Sequence, residues 1–128
     1  MAIRVVRLGT PRAPGEGMRL GTVRRPPRGV PRSDYASRDF YDVWLPELAP
    51  SAELVKVGLQ AGDARGWRAF VRRYRTEMKR PPATRLLGLL AALSHHAAFS
   101  VGCYCVDEAR CHRSVLRALL AEQGAKLD

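Results

Sequence analysis

Phe99-Ser100-Val101-Gly102-Cys103-Tyr104-Cys105, followed by Val106-Asp107-Glu108-Ala109-Arg110 and Cys111-His112-Arg113-Ser114-Val115-Leu116-Arg117-Ala118-Leu119-Leu120, is the stretch that decides the fold. The first seven residues read as a buried strand. Side chains alternate along it, so Phe99, Val101, Cys103 and Cys105 share one face while Tyr104 takes the other. Beyond a short polar turn, Val115, Leu116, Leu119 and Leu120 recur at helical spacing, so a last helix begins near Cys111 or His112 and closes at Gly124. A strand, a short loop and a helix, preceded by helices that require a crossover, predict an α/β fold. The expected architecture is a small, mostly parallel sheet covered by helices, in a single domain over residues 1-128.

Outward from this stretch, Ile3 to Leu8 is β-branched enough for a first strand, and Met18 to Val23 for a second. An Arg/Pro-rich loop follows at about 24-32, where prolines forbid regular pairing. Ser33-Asp34 is expected to cap a helical segment carrying Tyr35, Phe40, Tyr41, Val43, Trp44, Leu45 and Leu48, and Ser51 to restart a short helix. Asp63 caps a helix from Ala64 to Arg80 that buries Trp67, Phe70, Val71, Tyr74 and Met78. After Pro81-Pro82, Thr84 opens a helix whose leucines, 86, 87, 89, 90 and 93, cover more than half its circumference and so predict a central position. Trp44 and Trp67 are expected in the core, and His95-His96 at helix-terminal carbonyls.

With 46% hydrophobic and 27% charged residues, the 128-residue chain has an ordinary globular composition. Its longest apolar run, Leu86 to Leu93, is far shorter than the roughly 20 residues of a membrane span. Charges interrupt the apolar opening and no small-residue cleavage site follows, so no secretory signal and a cytoplasmic location are expected. Net charge is +10, and residues 1 to 32 hold eight arginines against the single acid Glu16. That density suits either an anionic partner, a small ligand or a nucleic acid, or a plain solvated surface.

Chemistry concentrates at Cys105 to Arg113. In an open α/β sheet, ligands bind beyond the carboxyl ends of strands, and the helix after the turn offers unpaired N–H groups and a positive dipole end. Cys105, Cys111 and His112 are therefore the reactive candidates, with Arg28, Arg110 and Arg113 as anion holders. A thiol beside a helix N-terminus and cations has its pKa lowered. Three chemistries compete: a reactive thiol in an anion pocket; a metal site built from Cys103, Cys105, Cys111 and His112, although C-x-C-x5-C-H is no standard zinc spacing; and inert core thiols. The basic N-terminal segment offers a separate nucleic-acid surface. No cofactor follows from any motif.

The C-x4-R spacing from Cys105 to Arg110 resembles the anion-cradling loops of rhodanese-like sulfurtransferases, with Asp107 and Glu108 as added acids and no glycine. More broadly, Arg7-Leu8-Gly9-Thr10-Pro11-Arg12-Ala13-Pro14-Gly15-Glu16-Gly17, Pro27-Arg28-Gly29-Val30, Trp44-Leu45-Pro46-Glu47-Leu48 and Trp67-Arg68-Ala69-Phe70, in that order, resemble the YeaO-like branch of the bacterial domain-of-unknown-function family 488. The ending Cys105…Cys111-His112-Arg113 is similar to the Cys…Cys-His-Arg signature of that family. The resemblance implies an α/β domain of a bacterial cytosolic protein with its site at that turn, and no assigned activity. Val23-Arg24-Arg25-Pro26 departs from the hydrophobic-aromatic pair that the family places before Pro-Arg-Gly.

Overall fold

The computed structural model describes residues 2–60 and 62–128 of the chain, apart from the side chain of Glu108. Strands β1 (Ile3–Arg7), β2 (Met18–Gly21), β3 (Val43–Trp44) and β4 (Phe99–Cys103) form one sheet in the order β1-β4-β2-β3, with every pairing parallel. Helices α1 (Ala52–Gln60), α2 (Ala64–Met78), α3 (Ala83–Leu93) and α4 (His112–Glu122) complete the fold. The small parallel α/β sheet expected from the sequence is thus present. β4 runs between β1 and β2 and is buried at all five positions, which is why its sequence is an unbroken run of small and apolar residues.

One face of the sheet, carrying Ile3, Leu20, Phe99 and Val101, packs under Leu54 of α1, Phe70 and Tyr74 of α2, Leu87 of α3 and Leu116 of α4. Asp63 caps α2 as predicted, its carboxylate accepting from the Gly66 N–H. α4 ends in a Schellman arrangement, with Ala125 N donating to Leu120 O and Gly124 at φ +87°. Loops rather than helices cover the other face. There Tyr41 lies on Gly21, where a Cβ would stand 2.3 Å from Tyr41 Cδ2, so only glycine lets the ring settle on the strand. Arg19, 1% exposed, is paired with Glu16 beneath the same loops; Ser100 Oγ donates to Glu16 Oε2 and Arg19 Nη1 to Asp39 O. At the carboxyl end of the sheet a second apolar cluster gathers Leu8, Val23, Tyr41, Cys103 and Cys111.

Four expectations are corrected. The segment from Ser33 forms only a 3-10 turn at Arg32–Asp34 and then irregular turns, because Asp39 takes a left-handed conformation at φ +63° that no helix accepts. Val43 and Trp44 consequently become an edge strand, and Trp44 is 42% exposed rather than core. α3 is peripheral: it buries Ala83, Leu87, Leu90 and Ala91 and leaves Leu89 and Leu93 exposed, so its extra leucines reflect no second packing partner among the described residues. Strand β4 stops at Cys103, two residues early, where the Tyr104 carbonyl accepts from Arg7 Nε instead of continuing the ladder.

Candidate functional site

Past Cys103 the chain leaves the sheet, turns through a 3-10 segment at Glu108–Arg110 and enters α4 with Cys111 as its N-cap residue. This returns Cys111 to Cys103: their Sγ atoms are 2.6 Å apart, both buried. Cys105, on the turn, is exposed. Arg113 is 4% exposed and reaches back, its Nη2 donating to the Cys105 carbonyl at 2.6 Å, while its Nε has no partner. The turn is tied on both sides, by Tyr104 Oη donating to Arg25 O and by Arg110 Nη1 donating to Asp63 O.

The tautomer of His112 follows from its surroundings. Burial pushes its pKa down to about 4, so the ring is neutral at pH 7. Nε2 lies 2.7 Å from the Thr22 carbonyl, which only accepts; Nε2 therefore carries the proton and Nδ1 turns its lone pair toward Cys111 Sγ at 3.7 Å. The ligand atoms of Cys103, Cys111 and His112 all lie within 4.8 Å of one another, and Cys105 is not part of that group.

The three thiols titrate as one cluster. Negative charge settles on Cys105: the facing Cys103 thiol stabilises its thiolate most, the Cys111 thiol next and the Arg113 charge further, against the cost of partial burial. His112, neutral at pH 7, adds no charge there. The Cys103 thiol is pushed far up by its bonds to Cys105 and Cys111 and by burial. Cys111 is lowered by Cys103, but its bond to Cys105, burial and the Cys105 charge outweigh this and raise it to about 11. Of the two thiols that the helix N-terminus made candidates for a low pKa, Cys105 is the one the environment favours.

Of the six residues singled out from sequence, Cys105, Cys111, His112 and Arg113 come together in this way. Arg110 is exposed at the N-cap of α2, and Arg28 is exposed without a hydrogen bond or ion pair among the described residues. The loop containing Arg28 meets the turn at Tyr104 and Arg25. The N-terminal arginines are mostly structural. Arg4 pairs with Asp128, Arg12 with Asp42 and Arg19 with Glu16; Arg7 bonds Tyr104 O, and Arg24 the carbonyls of Pro46, Ala49 and Pro50. Sequence reasoning set Cys103 beside Cys111 only in the metal alternative and left it out of the six site residues, and it gave Tyr35, Tyr41 and Tyr104 no functional role. All three tyrosines belong to the cluster at the sheet's carboxyl end.

A parallel α/β sheet with a Cys-His-Arg turn at the end of its central strand defines the class of protein. The family model described as DUF488-N3a, the active DUF488-N3 subclade, matches residues 3–124, and the chain belongs to that family. No curated protein and no solved structure matches it. Among the described residues no helix is long and apolar enough to cross a membrane.

Proposed function

We propose that the turn from Cys103 to Arg113 is a thiolate centre that acts on a small anionic substrate, with Cys105 as its nucleophile, in a reducing cytoplasmic setting. What supports this is the asymmetry of the three cysteines: Cys105 is exposed on the turn with its pKa lowered by Cys103, Cys111 and the Arg113 charge, while Cys103 and Cys111 are buried with their sulfurs 2.6 Å apart. Arg113 binds the Cys105 carbonyl, which holds a full positive charge near that residue, and its buried Nε has no partner. In a displacement, the Cys105 sulfur lone pair would form the bond to an electrophilic sulfur or phosphorus as the leaving group departs with its bonding pair. Cys111, its S–H directed to the His112 Nδ1 lone pair, stays a neutral thiol near Cys105.

Alkylation with iodoacetamide, followed site by site by mass spectrometry, tests it. Cys105 is expected to react quickly at pH 6, and Cys103 and Cys111 slowly; inorganic phosphate slows Cys105, and Arg113→Gln raises its apparent pKa while Arg113→Lys largely restores it. Equal, slow labelling of all three thiols overturns the proposal. A second chemistry is favoured by one observation, the convergence of Cys103, Cys111 and the His112 Nδ1 lone pair within 4.8 Å, with the other ring nitrogen on a backbone carbonyl as in many metal-ligand histidines. Stoichiometric zinc uptake that disappears in both Cys111→Ala and His112→Ala would favour a metal centre. No uptake on titration would remove it.

A further inference from the structure

A cavity of about 430 Å³ opens at the sheet's carboxyl edge, with Pro26, Arg32, Tyr35, Tyr41 and Trp44 in its wall and none of the three cysteines. Its volume is that of a small-molecule site. Trp44 is the last residue of β3, so the cavity stands where α/β sheets receive ligands, at the carboxyl end of a strand. Tyr41 is 4% exposed, yet its hydroxyl has no hydrogen-bond partner. Buried hydroxyls almost always find one. The ring is held against Gly21 and meets Tyr35 edge-on at 5.2 Å, so the hydroxyl has little freedom to turn elsewhere.

The rest of the wall narrows the ligand's chemistry. Trp44 Nε1 donates to Val23 O at 2.7 Å, which fixes the indole while leaving 42% of the residue exposed. Arg32 is exposed and forms no side-chain hydrogen bond or ion pair among the described residues. Asp42, also in the wall, is neutralised: both its oxygens accept from Arg12, and Oδ2 also accepts from the Arg19 N–H. The site therefore presents aromatic surface and Arg32, a cation without a partner among the described residues, over a buried neutral hydroxyl that is likewise unsatisfied, with its carboxylate already occupied. A planar, anionic molecule bearing a hydrogen-bonding heteroatom satisfies all three. Amines, which as cations call for a free carboxylate, do not.

We propose that this cavity binds a nucleoside monophosphate or a ligand of the same chemistry, its base against Tyr35 and Trp44 with a heteroatom bonded to the Tyr41 hydroxyl, and its phosphate on Arg32. Stacking on aromatic side chains and guanidinium–phosphate pairing are both established recognition modes for such molecules. The site is separate from the thiolate centre, and its assignment does not rest on Cys105 chemistry.

Isothermal titration of the full chain with AMP, GMP, CMP and UMP tests it, with adenosine, ribose 5-phosphate and inorganic phosphate as fragments. At least one mononucleotide is expected to bind, and to bind tighter than any fragment. Arg32→Ala should weaken it about tenfold and Tyr41→Phe about fivefold, while Arg72→Ala on the outer face of α2 leaves it unchanged. Because Tyr41→Phe removes only a hydroxyl without a partner, its Tm should stay level or rise. No binding of any mononucleotide, fragments binding as well as the mononucleotides, unchanged affinity in both cavity variants, or a lower Tm for Tyr41→Phe would each overturn the assignment.

Discussion

Tyr74 meets the His112 imidazole edge-on at 5.6 Å, and in this buried setting the ring resists protonation. Its folded pKa of about 4 lies below the ordinary 6.5, so the unfolded chain binds the proton more readily between those values. The resulting stability is complete above pH 6.5 and is lost as pH falls through 4. At about 1.4 kcal/mol per unit, it is on the order of 3 kcal/mol. Cys105, whose thiol is also depressed, adds a slope of the same sign, so the wild type must be compared with a variant. His112→Gln, which can still donate to Thr22 O, should show a shallower fall of Tm from pH 7 to pH 4.5. Parallel Tm profiles for the two proteins would mean that His112 is not held neutral by the fold.

Among the elements, the join of β2 to β4 rests on a buried charge. Glu16 stays ionised although burial opposes it, because Arg19, the Ala13 N–H and Ser100 all donate to its carboxylate and hold its pKa below the usual range. Arg19 and Ser100 are register partners on the two strands, so one carboxylate ties both to the loop that precedes β2. Glu16→Gln leaves the Arg19 guanidinium without its counter-charge in the interior and should cost about 3 kcal/mol or more in denaturant unfolding. Arg4→Ala, which opens the half-exposed pair with Asp128, should cost about 1 kcal/mol or less. Equal losses from the two substitutions would show that burial does not separate these pairs.

For the whole molecule, net charge overstates the cations on offer. Five of the eight arginines before residue 33 are committed to acids or carbonyls, and Arg25, Arg28 and Arg32 alone among them lack such partners in the described residues. If this segment binds nucleic acid, the alternative raised by its composition, it can release the counterions of roughly three phosphates. Replacing the three together by Ala should then reduce the slope of log K against log salt by about 3. An unchanged slope would exclude this segment as the contact surface.

The apolar periodicities of α2 and α4, the Asp63 cap, the buried run of β4 and the placing of Cys105, Cys111, His112 and Arg113 at one turn were all legible in the chain, because each depends on residues a few positions apart. The family resemblance rested on such local motifs too, and the family match over residues 3–124 bears it out. What sequence could not decide depends on distant partners. Leucine spacing describes a helix's own surface and not what covers it, so the exposure of Leu89 and Leu93 was decided by where α3 docks. Which thiol has its pKa lowered was decided by which cysteines the strand and helix bury, and the tautomer of His112 by a carbonyl ninety positions away at Thr22. The cavity at Tyr41 needed β2, β3 and the irregular loop between them to meet, an arrangement with no periodic signal because its contacts are set by tertiary packing.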